Sequence, residues 1–378
     1  MDFDLTEEQR LLRDSIDRLL ADHYAFDKRM AYLAEPEGWS RSLWSQYAEL
    51  GLLGLPFAEE HGGFGGGGIE VMLVMEAFGR ALALEPYLAT VVLAGTALRL
   101  AGSEAQQAEL LPQVAEGKLL LAFAHGERQA RYDLPDVLTT ATQKGSGWVL
   151  DGAKSVVSHG DSADKLIVSA RTAGNRDDTA GITLFLVDGN ASGVARRAYT
   201  LRDGTRAAEI ALSGVEVGGD AVLGPVGAAY PVIERVVETG IAATAAEAVG
   251  CMETMQAMTL EYLKTRQQFG QPIGRNQALQ HRATEMFVSL EQGRSMAMLA
   301  AMMVDEPDAA ERARNLSMVK AGIGQAARFV SQNAVQLHGG IGMTEEYAVG
   351  HYFRRVMVIE HTFGDTAHHL SRLAREVG

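Results

Sequence analysis

Cysteine is nearly absent: Cys251 is the single one in 378 residues. That excludes an internal disulfide framework and a thiolate metal site, and it fits a reducing compartment. Positive charge is also in deficit. Lysine and arginine number 34 against 48 acidic residues, a net charge of −14, which argues against nucleic acid or an anionic membrane as the main partner. A small anionic ligand remains permitted, because a local cationic cluster overrides the global field. No apolar run approaches the ~20 residues of a membrane span. The first residues, Met1-Asp2-Phe3-Asp4, carry neither a basic nor an apolar stretch. No export or organelle signal is expected, and the cytoplasm is the expected location. The histidines His125, His281, His368 and His369 lack metal-ligand spacing.

What is present is a soluble globular composition, 47% hydrophobic and 22% charged, in a chain too long for one ordinary core. Three segments emerge. Residues 1–118 read as helical. Thr6 and Gln9 form a capping-box start, and Leu11, Leu12, Ile16, Leu19 and Leu20 recur at helical spacing. The run His61-Gly62-Gly63-Phe64-Gly65-Gly66-Gly67-Gly68 has no preceding strand and no following Lys-Ser/Thr. It reads as a flexible helix–helix connection, not a phosphate loop. Residues 119–224 change to short β-type runs, among them Trp148–Gly152, Lys165–Ala170 and Ile182–Val187, which predict a compact antiparallel β domain. Residues 225–378 return to long helices over Pro231–Arg266, Gln277–Met303 and Asp308–Leu337. Met296, Met298, Met302 and Met303 read as gap-fillers of a bundle or a subunit interface. The expected fold class is α+β.

The chemistry-bearing groups concentrate in the last third. Arg266-Gln267-Gln268-Phe269-Gly270 is followed by Gln277, then by Gln336-Leu337-His338-Gly339-Gly340. Together they offer a fixed cationic fork for phosphate, a flat apolar contact, amide side chains and a backbone that permits close approach. Alone, Arg266 reads as an exposed arginine at a helix end.

Taken with the α–β–α layout, these motifs resemble the acyl-CoA dehydrogenase family of flavoenzymes over essentially the whole chain. The resemblance implies an N-terminal helical domain, a middle β barrel and a C-terminal four-helix bundle. It implies FAD, with Arg266 and Phe269 on the diphosphate and adenosine of a cofactor bound by a neighbouring subunit. Gln277 matches a family glutamine nearby, and Gln336, Gly339 and Gly340 match the segment along the diphosphate. In the middle domain, Phe123, His125 and Gly126 occupy a flavin-contacting segment. Gly152–Ser158 matches a strand where Val156 replaces the family's tryptophan and Ser158 its threonine. The Ser158 hydroxyl is a donor for flavin, or a plain strand-end serine.

The family reaction needs a base for the α-proton of the thioester, ordinarily a carboxylate with its pKa raised in a dry pocket. The family's glutamate precedes Gly-Thr near the C-terminus, whereas this chain has Glu360-His361-Thr362-Phe363-Gly364-Asp365-Thr366. Alignment on the glycine puts Phe363 at that position; alignment on the threonine brings Asp365 close. Asp365 is a shortened base or a helix N-cap, Thr366 a flavin-loop residue, and Glu360 a partner for Arg354 or Arg355. His368 and His369 read as a solvated or flavin-edge helix start. A second family position for the base aligns with Gly240, which cannot serve. Glu247, two turns along the same face among small apolar residues, is catalytic or ion-paired, since burying it alone is costly.

Good flavin residues with a displaced base resemble the two-subunit bacterial members of the family, where an active site is shared between unlike chains. The expected activity is FAD-dependent α,β-dehydrogenation of an acyl-CoA, with a dicarboxyl-CoA as one option. The expected electron acceptor is an electron-transfer flavoprotein, and the expected assembly a homo- or heterotetramer with a second acyl-CoA dehydrogenase subunit. The competing readings are a non-catalytic FAD-binding partner subunit and an acyl-CoA oxidase.

Overall fold

The computed structural model describes residues 5–377; Met1–Asp4, on which the reading of the N-terminus rested, lie outside them. The helices are α1 (Glu7–His23), α2 (Phe26–Leu33), α3 (Arg41–Glu49), α4 (Gly68–Ala81), α5 (Gly95–Ala101), α6 (Glu104–Ala115), α7 (Tyr230–Thr265), α8 (Gln277–Met303), α9 (Ala309–His338), α10 (Ala348–His361) and α11 (Thr366–Val377). The strands are β1 (Leu121–Ala124), β2 (Thr140–Lys144), β3 (Gly147–Ser158), β4 (Lys165–Arg171), β5 (Ile182–Asp188), β6 (Val194–Thr200), β7 (Arg206–Val217), β8 (Val222–Leu223), β9 (Gln267–Gln268) and β10 (Gln271–Pro272). By contacts the chain divides into two compact units, one of Met1–Ala31, Gly67–Ala83 and Ile241–Gly378, the other of Tyr32–Gly66 and Leu84–Gly240. Helix α7 therefore begins in the second unit and ends in the first.

The first unit is helical. The expected capping box closes the start of α1: Gln9 N donates to Thr6 Oγ1 at 3.2 Å and Thr6 N to Gln9 Oε1 at 3.0 Å. Helix α9 packs against α8, α10 and α11. Helices α4 and α7 cross in backbone contact because two glycines make room. A Cβ on Gly79 would lie 2.0 Å from Glu247 O, and one on Gly250 would lie 2.0 Å from Glu76 O. That crossing sets the position of Glu247.

The second unit holds an eight-stranded sheet in the order β6-β7-β3-β2-β4-β5-β8, with β1 paired to β4. Most ladders are antiparallel, as the alternation predicts, but β1 runs parallel to β4. The core includes Leu150, Leu166, Val168, Phe185, Val187, Ile210 and Val215. In β3 the register against β7 shifts between Lys154 and Val157. This bulge puts Val156 at φ 53° with 58% of its surface exposed, so the sequence's replacement for the family tryptophan points to solvent on a kinked strand. The glycine run is not a slack tether. Gly65 and Gly66 N–H groups bond Phe57 O and Leu55 O at 2.7 and 2.8 Å, and a Cβ on Gly63 would meet Phe57 O at 2.1 Å.

Candidate functional site

Helix α7 closes on Arg266, whose N–H bonds Tyr262 O at 2.9 Å. Strands β9 and β10 then pair as a two-residue hairpin whose turn is Phe269-Gly270, at φ 53° and 78°. Two successive positive φ angles suit a primed hairpin turn, and glycine meets that demand freely. Phe269 meets it at a cost of roughly 1–2 kcal/mol, and its side chain is 100% exposed. An arginine and a bare aromatic thus stand together on a short arm.

Beside this arm lies a groove of about 350 Å³ lined by Arg266, Gln268, Arg282, Gln336, His338 and Gly339, among others. The structure therefore brings Arg266, Gln336 and Gly339 together. Gln277, exposed at the start of α8, and Gly340, exposed beyond α9, do not line this groove. Gly339 takes φ 65°, ψ −141°, and a Cβ on Gly339 or Gly340 would meet nothing within 4 Å. Glycine at 339 serves the backbone's shape and leaves its surface open. Arg282, a second cation that sequence reading passed over, is held by Asn333 Oδ1 at 2.7 Å. His338 lies between Tyr262 and Tyr347, at ring distances of 4.6 and 5.1 Å, and burial lowers its pKa, keeping it neutral. Two arginines over an open glycine backbone fit the diphosphate of FAD.

The β-sheet unit carries a separate polar cluster. Phe123, in β1, stacks on His125 at 5.9 Å. Gly126 is exposed, and its carbonyl accepts from Ser155 N at 2.8 Å, joining the segment after β1 to β3. Ser158 is half-buried at the end of β3, opposite Ala207. Beneath them Lys154, 0% exposed, spends its ammonium on Glu127 Oε1 at 2.6 Å, Ser169 Oγ at 2.9 Å and His125 O at 3.2 Å. Burial works to raise the Glu127 pKa, but Lys154 and hydrogen bonds bring it down to about 2. Burial lowers Lys154 to about 8 against the pull of Glu127, and burial with Lys154 lowers His125 to about 3. Ser169 Oγ, which accepts from Lys154, also lies 2.9 Å from His125 Nδ1. The Glu127–Lys154 pair went unselected in the sequence; an acid two residues past His125 was the available signal. Glu238, on α7, is a further buried acid that was passed over.

Glu247 is buried and sits in a guanidinium fork: Arg355 Nε donates to Oε1 at 2.6 Å and Nη2 to Oε2 at 2.7 Å. Both carboxylate oxygens are engaged.

The C-terminal loop is built around Glu360, and here two expectations are corrected. Glu360 pairs with neither Arg354 nor Arg355. Its Oε1 accepts from Arg328 Nη2 at 2.8 Å and from Thr366 Oγ1 and N at 2.7 and 3.1 Å, while Arg354 goes to Glu345. His369 is not solvated: it is 2% exposed, with Nε2 2.9 Å from Phe363 O, and burial lowers its pKa to about 4. Asp365 Oδ1 accepts from His368 N at 2.8 Å, the geometry of an N-cap on α11. Phe363 and Gly364 take φ 61° and 103°. Among the described residues no helix is long and apolar enough to cross a membrane, and no group of three His, Cys, Asp or Glu is arranged to hold a metal.

Three family models match the chain: the acyl-CoA dehydrogenase N-terminal domain over residues 6–118, the middle domain over 122–215 and the C-terminal domain over 230–378. Acyl-CoA dehydrogenase fadE12 of Mycobacterium tuberculosis is 31% identical over 91% of this chain and 89% of that protein. Butyryl-CoA dehydrogenase from Megasphaera elsdenii superposes with a TM-score of 0.91 at 26% identity, covering 100% of both chains. A chain of the ChsE4-ChsE5 complex from Mycobacterium tuberculosis superposes with a TM-score of 0.89 at 26% identity, over 100% of this chain and 99% of that one. Domain order and fold agree, and this chain belongs to the acyl-CoA dehydrogenase family, FAD-dependent oxidoreductases that act on acyl-CoA thioesters.

Proposed function

We propose that this chain is one subunit of a two-subunit acyl-CoA dehydrogenase whose catalytic base resides on the partner subunit. The observation that carries this reading is the state of the candidate carboxylates. Glu247 has both oxygens in the Arg355 fork, and Asp365 caps α11. Phe363 stands at the glycine-aligned family position. The structure of a ChsE4-ChsE5 complex with this fold supports pairing with an unlike chain. A homotetramer in which Asp365 acts as a shortened base is the competing assembly.

FAD supplies the two-electron acceptor for the β-hydrogen. In this reading Arg266, Gln336 and Gly339 hold the diphosphate, with Gln277 and Gly340 alongside, and Phe269 covers the adenosine end. Phe123, His125, Gly126, Ser158 and Thr366 are assigned to the flavin end. The substrate is an acyl-CoA, with dicarboxyl-CoA thioesters such as pimeloyl-CoA as one option, and the electron acceptor is an electron-transfer flavoprotein. Slow reoxidation by oxygen separates this from an oxidase. A purely structural, FAD-binding role is the second reading, favoured by the same occupied carboxylates. The test is substrate-dependent flavin bleaching of the chain alone and of the chain co-expressed with its candidate partner. Bleaching only in the pair supports the proposal; a pair that bleaches equally well when this chain's FAD is removed supports the structural role.

A further inference from the structure

The connection between α10 and α11 is fastened at both ends by buried charge. Lys320, 1% exposed, donates to the last carbonyls of α10, Ile359 O and Glu360 O, at 3.0 and 2.9 Å. Glu360 Oε1 accepts from Thr366 Oγ1 and N at the start of α11 and from Arg328 Nη2 on α9. Asp365 then caps α11 through His368 N. These bonds close the connection without specifying the conformation of its middle.

His369 supplies that. Its Nε2 lies 2.9 Å from Phe363 O, and since a carbonyl only accepts, Nε2 carries the proton of the neutral ring. Among the described residues Nδ1 has no hydrogen-bond partner, so this buried imidazole makes one bond, and it makes it to the backbone of Phe363. Phe363 is held at φ 61°, a left-handed conformation that costs a non-glycine residue roughly 1–2 kcal/mol. Gly364 follows at φ 103°, and a Cβ there would lie 2.5 Å from His369 Nε2. Ring and glycine fit each other, and between them they fix the direction in which the half-buried Phe363 side chain leaves the backbone. A strained residue held by one dedicated buried side chain is an observation from which function can be argued. We propose that His369 is a positioning residue for the flavin oxidation, acting through Phe363 O to hold the Phe363 ring in place at the flavin end of the site. The inference rests on the assignment of the Phe363–Thr366 loop to the flavin end, not on which subunit holds the base.

His369→Leu keeps the ring's place apolar and filled but removes the donor, whereas His369→Gln keeps an N–H that can reach the same carbonyl. The FAD-loaded His369→Leu chain is expected to show a displaced visible flavin band and altered flavin circular dichroism at full flavin occupancy. In the co-expressed pair its kcat falls about ten- to hundredfold, the scale of a small misplacement in a site, with KM little changed. His369→Gln is expected to recover both signals. Gly364→Ala, which drives the backbone against the His369 ring, is expected to displace the band as His369→Leu does, and it carries the test if the leucine variant does not fold. A flavin band and kcat equal to those of the unaltered protein, at whatever melting temperature, overturn the proposal and leave His369 a folding residue. A pair in which no thioester reduces the flavin overturns the functional reading instead, while the flavin band of the chain alone still decides the role of His369.

Discussion

Glu247 and Arg355, 108 residues apart in sequence, meet in a two-pronged ion pair with side chains only 4% and 12% exposed. The pair ties α7 to α10, and the glycine-mediated crossing of α4 over α7 covers its backbone. Replacing Glu247 removes two charged hydrogen bonds from Arg355, and breaking a buried pair costs up to about 3–5 kcal/mol. Glu247→Gln is therefore expected to lower the melting temperature markedly while leaving substrate bleaching of the assembled enzyme intact. An unchanged melting temperature with bleaching abolished would return Glu247 to the role of base.

Arg266→Ala is expected to purify with little colour. A charge-assisted bond contributes about 2 kcal/mol, so FAD affinity falls roughly thirtyfold. The ratio of visible to ultraviolet absorbance checks this directly. Full flavin occupancy would remove Arg266 from the cofactor site.

Gly324 packs under the Glu360 hub: a Cβ there would lie 2.0 Å from Glu360 Oε2 and 2.4 Å from Thr366 Oγ1. Gly324→Ala must push the two apart and release the Phe363–Thr366 loop, with an expected destabilisation of about 1–3 kcal/mol. Denaturant unfolding measures it. Wild-type stability in this variant would show that the loop does not depend on Glu360.

The pH dependence of stability carries the signature of Glu127. Its folded pKa, about 2, lies below the ordinary carboxylate value of 4.5. Its contribution is fully present above the ordinary value and is lost as pH falls through the folded one. Thermal melts between pH 5 and pH 2 are expected to show a steeper decline for the unaltered protein than for Glu127→Gln. Parallel declines would mean that Glu127 is not held as an anion by Lys154.

The long helices were legible because their periodicity is local: α8 runs over Gln277–Met303 as its composition predicts. The groove beside the hairpin was legible in part, because Arg266, Gln336 and Gly339 belong to motifs. The pairings of charges were not. Glu360 finds Arg328 across 32 residues and Lys154 finds Glu127 across 27, distances at which spacing says nothing about contact. Of the two readings of His368-His369, a solvated or a flavin-edge helix start, the solvated one fails for His369, whose ring turns inward to Phe363 O because position 369 lies on the inner face of α11, which packs on α9. The bulge that turns Val156 outward depends on the register between β3 and β7, which no single strand encodes.

The central claim is that this chain binds FAD but borrows its base. The visible spectrum of the purified chain, recorded anaerobically before and after acyl-CoA and dicarboxyl-CoA thioesters are added, tests it most directly. The account predicts a flavin spectrum that persists for the chain alone and bleaches when the partner subunit is co-expressed. Stoichiometric bleaching of the chain by itself would contradict it and place the base among this chain's own residues.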